Sequence, residues 1–339
     1  MIKLFEICYH GFLWLIVGLF MVLTWVTFQP TDSWYLALLN HGVIQYVLLL
    51  ALLLVLVLLQ KTSLLRWAQI LAVLFLLAIY SFQVLPFYMP SFKKNFSTES
   101  TIKLLSLNVF GKFNKDVSPT VALIEAYKPD VLTLNEYTPE WQQELRQSGV
   151  LKQFPYQVEG RSHIATYSRF PIKNSRHFYN QTKLANDVTL ETVLDINGRF
   201  VTLWASHPPL PIMKYYKKQR AHYENWVTEY KNAKPPFILA GDFNATPWSA
   251  NYKYLLENTK LKDSQTGFGL KPSWPAYIPP LFEQKLGVPL QFLNPVVALF
   301  QIPIDHVLVS DDFVVLKREV TSSVGSDHLP VYVELGFRQ

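Results

Sequence analysis

The chain has 339 residues, 50% of them hydrophobic, a formal charge of +6 and a single cysteine, Cys8. One cysteine excludes an internal disulfide framework, and its place in the apolar N-terminus excludes a cysteine nucleophile or thiolate metal site in the remainder. The charge is a weak pointer to nucleic acid. About half of the excess comes from Lys3, Lys61, Arg66, Lys93 and Lys94, which flank apolar runs where basic residues serve topology.

Three apolar runs come first: Phe12–Phe28, Val43–Leu59 and Leu64 to about Tyr88. Each approaches the roughly 20 residues that a helix needs to cross a bilayer core, and each is apolar all round. Trp14, Trp25, Trp34, Trp67 and Tyr88 stand near the run ends, as interfacial aromatics do. A cleaved signal peptide is the bland alternative for the first run, but no small-residue cleavage pattern follows it. The expectation is a membrane anchor over residues 1–95 with three transmembrane helices, then a domain over 96–339 that the motifs below mark as catalytic. The loop 29–42 has no Lys or Arg, whereas Lys3, Lys61 and Arg66 lie on the other side, so the positive-inside rule puts the catalytic domain outside the cytoplasm of a multi-pass cell-membrane protein. Lys93 and Lys94 argue the other way.

Past the anchor the pattern changes. Ile102–Val109 reads as a buried strand, and Ser118-Pro119 as a helix start with Ser118 as its cap. Lys128-Pro129-Asp130 ends that helix, Val131–Leu134 is a second strand, and a short helix begins near Pro139. His163–Ser168, Val188–Ile196 and Arg199–Ser206 follow as strands, the last two joined by the hairpin signal Asn197-Gly198. A long helix covers Met213–Tyr230, Phe237–Ala240 is a short strand, and Ser249–Leu256 is helical. Ile304–Ser310, Phe313–Thr321 and Val331–Phe337 close the chain as strands. This mixture suits two mainly antiparallel or mixed sheets packed face to face with helices outside.

Polar residues gather at the strand ends: Asn108, Glu136, His207, Asp242, Asn244, Asp305, Asp327 and His328. Singly each has an ordinary structural reading. Asn108 suits a turn, Glu136 a helix start, His207 a half-exposed structural imidazole, and Ser326-Asp327-His328 a polar loop. His306 is read as structural. Together, carboxylate and amide oxygens are hard donors that suit Mg²⁺, Ca²⁺ or Mn²⁺ rather than zinc. A histidine beside a carboxylate is a candidate base for water. A hard cation, a base and neutral donors make a kit for phosphoryl hydrolysis.

The succession Leu107-Asn108-Val109, Asn135-Glu136, Ser168-Arg169-Phe170-Pro171, Ser206-His207-Pro208, Gly241-Asp242-Phe243-Asn244, Ser273-Trp274-Pro275, Ile304-Asp305-His306 and Ser326-Asp327-His328 resembles the endonuclease/exonuclease/phosphatase (DNase I-like) superfamily from about Thr101 onward. The resemblance implies a four-layer α/β sandwich, here preceded by three transmembrane helices. It also implies roles. Glu136 would be the principal metal carboxylate, with Asn108 beside it and Asp327 as a further ligand. Asp242 and Asn244 would orient nucleophile and phosphate. His328 would be the base or the charged partner of the phosphate, its ring held by Asp305, and His207 would contact the phosphate. The cofactor implied is Mg²⁺, with Mn²⁺ as the substitute. Three departures stand out. Asn135 replaces the common Gln before the metal Glu, Pro303 stands where many members have Arg, and Gly160-Arg161-Ser162-His163 replaces a Gly-rich apolar segment.

The expected function is a membrane-tethered, divalent-metal-dependent phosphodiesterase or phosphatase. Its expected partners are the lipid bilayer and a phosphoester substrate for which a lipid-linked form is attractive. The first alternative is a nuclease acting on nucleic acid, disfavoured because only Lys214–Arg220 is densely basic. The second is a non-catalytic membrane scaffold of the same fold. The Pro- and aromatic-rich stretch 275–303 is read as an elaborated loop packed on the core, in preference to a flap at the membrane surface.

Overall fold

The computed structural model describes residues 2–29, 31–90, 96–160, 163–179, 188–278, 283 and 286–338. Lys93, Lys94, Arg161 and the expected boundary at residue 95 lie outside them.

The N-terminal helices are α1 (Ile2–Thr27), α2 (Trp34–Leu38), α3 (Val43–Leu58) and α4 (Leu64–Val84), with single 3₁₀ turns at Leu39–Gly42 and Leu85–Phe87. Three stretches are long and apolar enough to cross a membrane: Ile7–Thr27, Trp34–Leu58 and Leu64–Phe87. The second begins earlier than its Leu/Val run, because α2 and the 3₁₀ turn lead into α3. Leu13, Val17, Leu50, Leu53, Val57, Val73 and Leu76 pack between helices, while Leu15, Leu19, Leu52, Leu71 and Phe75 face outward. Apolar residues on the outside are what a lipid-facing helix requires.

The rest is built on two six-stranded sheets. The first runs β11 (Phe313–Val320), β12 (Val331–Arg338), β1 (Phe96–Asn108), β2 (Val131–Asn135), β4 (Ala165–Ser168) and β3 (Tyr156–Glu159). The second runs β5 (Ile172–Tyr179), β6 (Val188–Ile196), β7 (Arg199–Ser206), β8 (Phe237–Asp242), β10 (Asp305–Val309) and β9 (Lys262–Asp263). Among the described residues only β1–β2 and β7–β8 pair in parallel. Between them stand α5 (Ser118–Tyr127) and α7 (Met213–Tyr230), respectively, which supply the crossovers that parallel pairing needs. The Asn197-Gly198 turn has positive φ at both residues, 54° and 84°, as a type I′ hairpin demands.

Three apolar layers explain why the central strands read as continuous apolar runs. Ile102, Leu104, Val331 and Val333 of one sheet meet Val201, Leu203, Ile238 and Val307 of the other. Leu105, Leu107, Leu132 and Leu134 point the opposite way onto α5 and α6 (Pro139–Gln147), against Ile124, Trp141 and Leu145. Trp204, Phe237 and Leu239 do the same toward α7 and α8 (Ala250–Thr259), against Tyr223, Trp226 and Tyr252. Alternate residues of one strand thus serve different cores. The result is the four-layer α/β sandwich.

Two local expectations need correction. Ser118 lies inside α5 rather than capping it; the carboxylate of Asp116 accepts the Ser118 N–H at 2.9 Å, so an acidic side chain two residues earlier meets the free helix donor. In the stretch 275–303, of which 279–282, 284 and 285 lie outside the described residues, the part before Pro303 is largely exposed. It forms a 3₁₀ segment, Gln291–Phe300, in which Val297 is buried while Phe292, Leu299 and Phe300 are 71%, 56% and 60% exposed. Pro295 within it prevents a regular helix, and polar contacts hold it: Ile278 N–H donates to Asn294 and Gln301 donates to the Pro275 carbonyl.

The sandwich meets one end of the helices. Tyr216 donates to the Thr31 carbonyl, Arg220 pairs with Asp32 at 2.7 Å, and Thr246 N–H points at His41 Nδ1. Trp248 donates to the Gln83 carbonyl and stacks edge-on against Phe87, and Gly269 N–H donates to the Phe87 carbonyl at 2.7 Å.

Candidate active site

Register places the polar strand ends on one rim. Asn108 pairs with Asn135, Ser206 with Gly241, and Asp305 with Asp242, while the chain enters β12 opposite Ser106, just after His328. Gly241 is required there. Its φ is 142°, and a Cβ would lie 2.0 Å from the Ser206 carbonyl oxygen. The β7–β8 pair can close only over a residue without a side chain.

The rim carries four carboxylates and two imidazoles, of which Glu136, Asp242, Asp305, His207 and His328 form one chain of close contacts. Asp242, 1% exposed, has its Oδ2 3.2 Å from His207 Nε2 and 3.5 Å from His328 Nε2. His328 Nδ1 lies 2.9 Å from Asp305 Oδ2, so Asp305, His328 and Asp242 form a line in which carboxylates face both ring nitrogens. His207 Nε2 is also 3.9 Å from Glu136 Oε1. Asp327 sits at the end of the line; its Oδ2 accepts the Trp274 indole N–H at 3.2 Å, and its Oδ1 is buried without a hydrogen-bond partner.

Electrostatics follow from that crowding. Burial pulls the His328 imidazole down, but the Asp305 and Asp242 charges outweigh it and push it up to about 10. His207 is likewise raised: burial opposes its charge, and the bond to Asp242 with the Glu136 charge behind it prevails. Burial lifts Asp242, yet the His328 charge and the His207 bond hold it well below the usual carboxylate range. Asp327 is pushed up to about 6, first by burial; the charges of Glu136 and Asp242 add to it, against His328 and Trp274. The Glu136 and Asp327 carboxylates therefore share one electrostatic environment.

Asn108 behaves differently from its expected role. Its amide nitrogen donates to Glu136 and to Asp242, each at 3.1 Å, and its oxygen is turned away to accept the Phe110 N–H at 3.0 Å. It braces two carboxylates. Asn244 turns its amide to the Pro208 carbonyl at 2.9 Å, and its N–H donates to Asp242 Oδ1. His306 points away from the rim, its Nε2 2.9 Å from the Ala245 carbonyl and its Nδ1 3.4 Å from Asp263.

Some rim residues carried more weight than the sequence suggested. Asn135, a departure from the common Gln, joins the sheets: it donates to the Ser206 carbonyl and accepts the Asp242 N–H. Ser273 accepts the Asp305 N–H, and Ser326 bonds the Asn108 carbonyl at 2.7 Å while accepting the His328 N–H. Each lies next to a motif residue, which is the signal that marks them.

The residues fit a hard divalent cation. Asp242, Asp305 and His328 bring ligand atoms within 4.8 Å of one another. The orphaned Asp327 oxygen and the half-turn-out Glu136 carboxylate, 33% exposed, add oxygen donors, and four carboxylates against two imidazoles leave an excess of negative charge to be neutralised.

Several solved structures share the fold. D. rerio TDP2 complexed with single-strand DNA product aligns at a TM-score of 0.56 with 17% identity, covering 70% of this chain and 99% of that one. An endonuclease/exonuclease/phosphatase from Beutenbergia cavernae aligns at 0.53 with 19% identity, covering 70% and 72%. The human Nocturnin catalytic domain with bound sulfate anion aligns at 0.50 with 19% identity, covering 70% and 95%. At such identities the likeness bears on the fold alone. Among curated proteins none matches. The Endonuclease/Exonuclease/phosphatase family model matches residues 105–328, from β1 to the histidine of the Ser326-Asp327-His328 motif, and the chain belongs to that family.

Proposed function

We propose that the chain is a membrane-tethered, divalent-metal-dependent phosphoesterase, a phosphodiesterase or phosphatase, with Mg²⁺ as its cofactor and Mn²⁺ as a substitute. The observation that carries the reading is the Asp305–His328–Asp242 line beside the Glu136 and Asp327 carboxylates. Glu136 and Asp327 would hold the cation, which when bound would neutralise phosphate charge and orient the ester. Asp305 fixes the His328 ring and keeps it protonated, so His328 suits the role of a cation at the phosphate and of a proton donor. Asp242, held ionised beside two imidazoles, suits the role of a carboxylate that orients the attacking water. His207, partly exposed on the opposite side of Asp242, is placed to contact a phosphate oxygen. Asn244, by its N–H bond, and Asn108, by its amide, keep the Asp242 carboxylate in place.

The anchor is proposed as multi-pass in the cell membrane, residues 1–95, with the catalytic part, 96–339, on its extracytoplasmic side. The distribution of Lys3, Lys61 and Arg66 supports that orientation.

The test is turnover by detergent-solubilised full-length protein of bis-p-nitrophenyl phosphate, a phospholipid panel and plasmid DNA, each with Mg²⁺ and with EDTA. EDTA-sensitive cleavage of an ester, lost in Glu136→Ala, is expected. Cleavage of plasmid alone, steeply weakened by salt, would select a nuclease. Equal inactivity of wild type and Glu136→Ala on every substrate would leave a scaffold.

A further inference from the structure

The loop that carries Asp242 and Asn244 into α8 does not face open solvent. It rests on the helix ends through Thr246 against His41 and through Trp248 against Gln83 and Phe87, and Trp248 is buried among the helix residues at 3% exposure. The rim is therefore held beside the helices that the chain offers to a bilayer.

On one flank of that rim the 3₁₀ segment Gln291–Phe300 reaches further down. Gln45 donates to the carbonyls of Leu299 and Gln301 at 3.2 and 3.4 Å. Gln45 lies in the first turn of α3, and α3 has 16 residues, about 24 Å of helix. A bilayer core is about 30 Å thick. The apolar thickness must then extend past Gln45 toward Trp34, where the 25-residue stretch Trp34–Leu58 begins. A segment bonded to Gln45 therefore stands level with one end of the apolar stretch Trp34–Leu58 rather than beyond it. Phe292, Val296, Leu299 and Phe300 are each more than 40% exposed. A patch of that kind covering a polar backbone is costly in water and favourable in an interface.

The same segment touches the catalytic side. Gln301 donates to the carbonyl of Pro275, Ile302 and Trp274 form a backbone bridge, and Trp274 holds Asp327. One continuous path thus runs from the bilayer edge to the carboxylate rim.

We infer that Gln291–Phe300 lies in the headgroup boundary of the leaflet facing the rim, and that the site takes its phosphoester from a membrane lipid lying in that leaflet. The inference rests, for its substrate, on the phosphoesterase reading above; for its placement it rests on Gln45 and the exposed apolar side chains alone. The lipid keeps its acyl chains among Phe292, Val296 and Phe300 while its phosphate reaches His207 and His328. A water-soluble ester has no use for these side chains.

The test has two readouts on full-length protein in phosphatidylcholine/phosphatidylglycerol vesicles. A Cys8→Ser background carries Val296→Cys labelled with a bimane, and doxyl-labelled phosphatidylcholine serves as quencher. At least a twofold loss of fluorescence is expected, against little change for a label at Phe200→Cys, on the far end of β7. An unquenched Val296 label overturns the placement. In the second readout the triple variant Phe292→Ser, Leu299→Ser, Phe300→Ser is assayed on vesicle phospholipid and on bis-p-nitrophenyl phosphate. The ratio of lipid to soluble turnover is expected to fall at least tenfold, with Phe200→Ser leaving it unchanged; an unchanged ratio in the triple variant overturns lipid delivery. Absence of EDTA-sensitive turnover on both esters sinks the phosphoesterase reading and the lipid substrate with it, and the quenching result still decides the placement separately.

Discussion

Glu136 and Asn244 hold φ at 52° and 50°, in the left-handed region that side-chain residues rarely occupy. Such backbone persists only where surroundings over-determine it. Here the surroundings are the Asn108 amide on one carboxylate and the Asp242 carboxylate on the other N–H. Glu136→Gln keeps the shape and removes the charge. Turnover is expected to fall about 10³-fold or more, and the rise in Tm that Mg²⁺ gives the wild type should vanish; a Tm still raised by Mg²⁺ would remove Glu136 from the cation. Asp305→Asn tests the line behind His328. With its ring no longer held as a cation, kcat is expected to drop about 10²-fold and the alkaline limb of its pH profile to move to lower pH, because the Asp305 charge is the largest influence raising His328. An unmoved limb would place that titration elsewhere. A third residue lies outside the rim. Asp263 is buried, and although burial lifts its pKa, His306 and Arg318 with the Tyr252 hydroxyl at 2.6 Å hold it below the usual value. A depressed folded pKa contributes stability above the unfolded value of about 3.9 and loses it as pH falls through the folded one. Asp263→Asn should cost about 2 kcal/mol at pH 7 and flatten the acid limb of a thermal-stability profile below about pH 4; a profile of unchanged steepness would show that other carboxylates dominate.

At the scale of the element, the decisive pairs are parallel β1–β2 and β7–β8, whose C-terminal ends deliver Asn108, Glu136, His207 and Asp242 to the same edge. Antiparallel β10 and β12 enter from that edge, so Asp305, the first residue of β10, and His328, just before β12, join it. Gly241→Ala is expected to disturb this geometry by forcing β7 and β8 apart. Because the Cβ meets backbone at 2.0 Å, the cost should exceed the roughly 1–3 kcal/mol of ordinary overpacking, and near-UV circular dichroism and turnover should fail together. Full activity in that variant would show that the strands separate without moving Asp242.

At the scale of the molecule, the sandwich and the helices are joined through residues on both sides of the rim, from Tyr216–Thr31 to Gly269–Phe87. Trp248 is the largest side chain in that joint. Trp248→Ala is expected to cost about 3–5 kcal/mol of packing, seen as earlier proteolysis between residues 88 and 101 in detergent; protease resistance equal to wild type would mean that the joint is held elsewhere.

The sequence by itself determined the three long apolar helices, since all-round apolar runs of that length are long enough to cross a bilayer, and it determined the sandwich, since strands buried on two faces must stand between two layers. It marked the rim as well, because hard-donor residues repeated at the ends of apolar strands. It did not determine what each amide or ring does. Asn108 turned its nitrogen to the carboxylates because Phe110 N–H takes its oxygen, and Asn135 became a clamp because Ser206 and Asp242 arrive from far along the chain. Nor did it reveal that 291–300 would face outward, or that the rim would rest on the helix ends. Those outcomes depend on which distant groups compete for one donor or one surface, and that competition exists only once the sheets and helices have closed on one another.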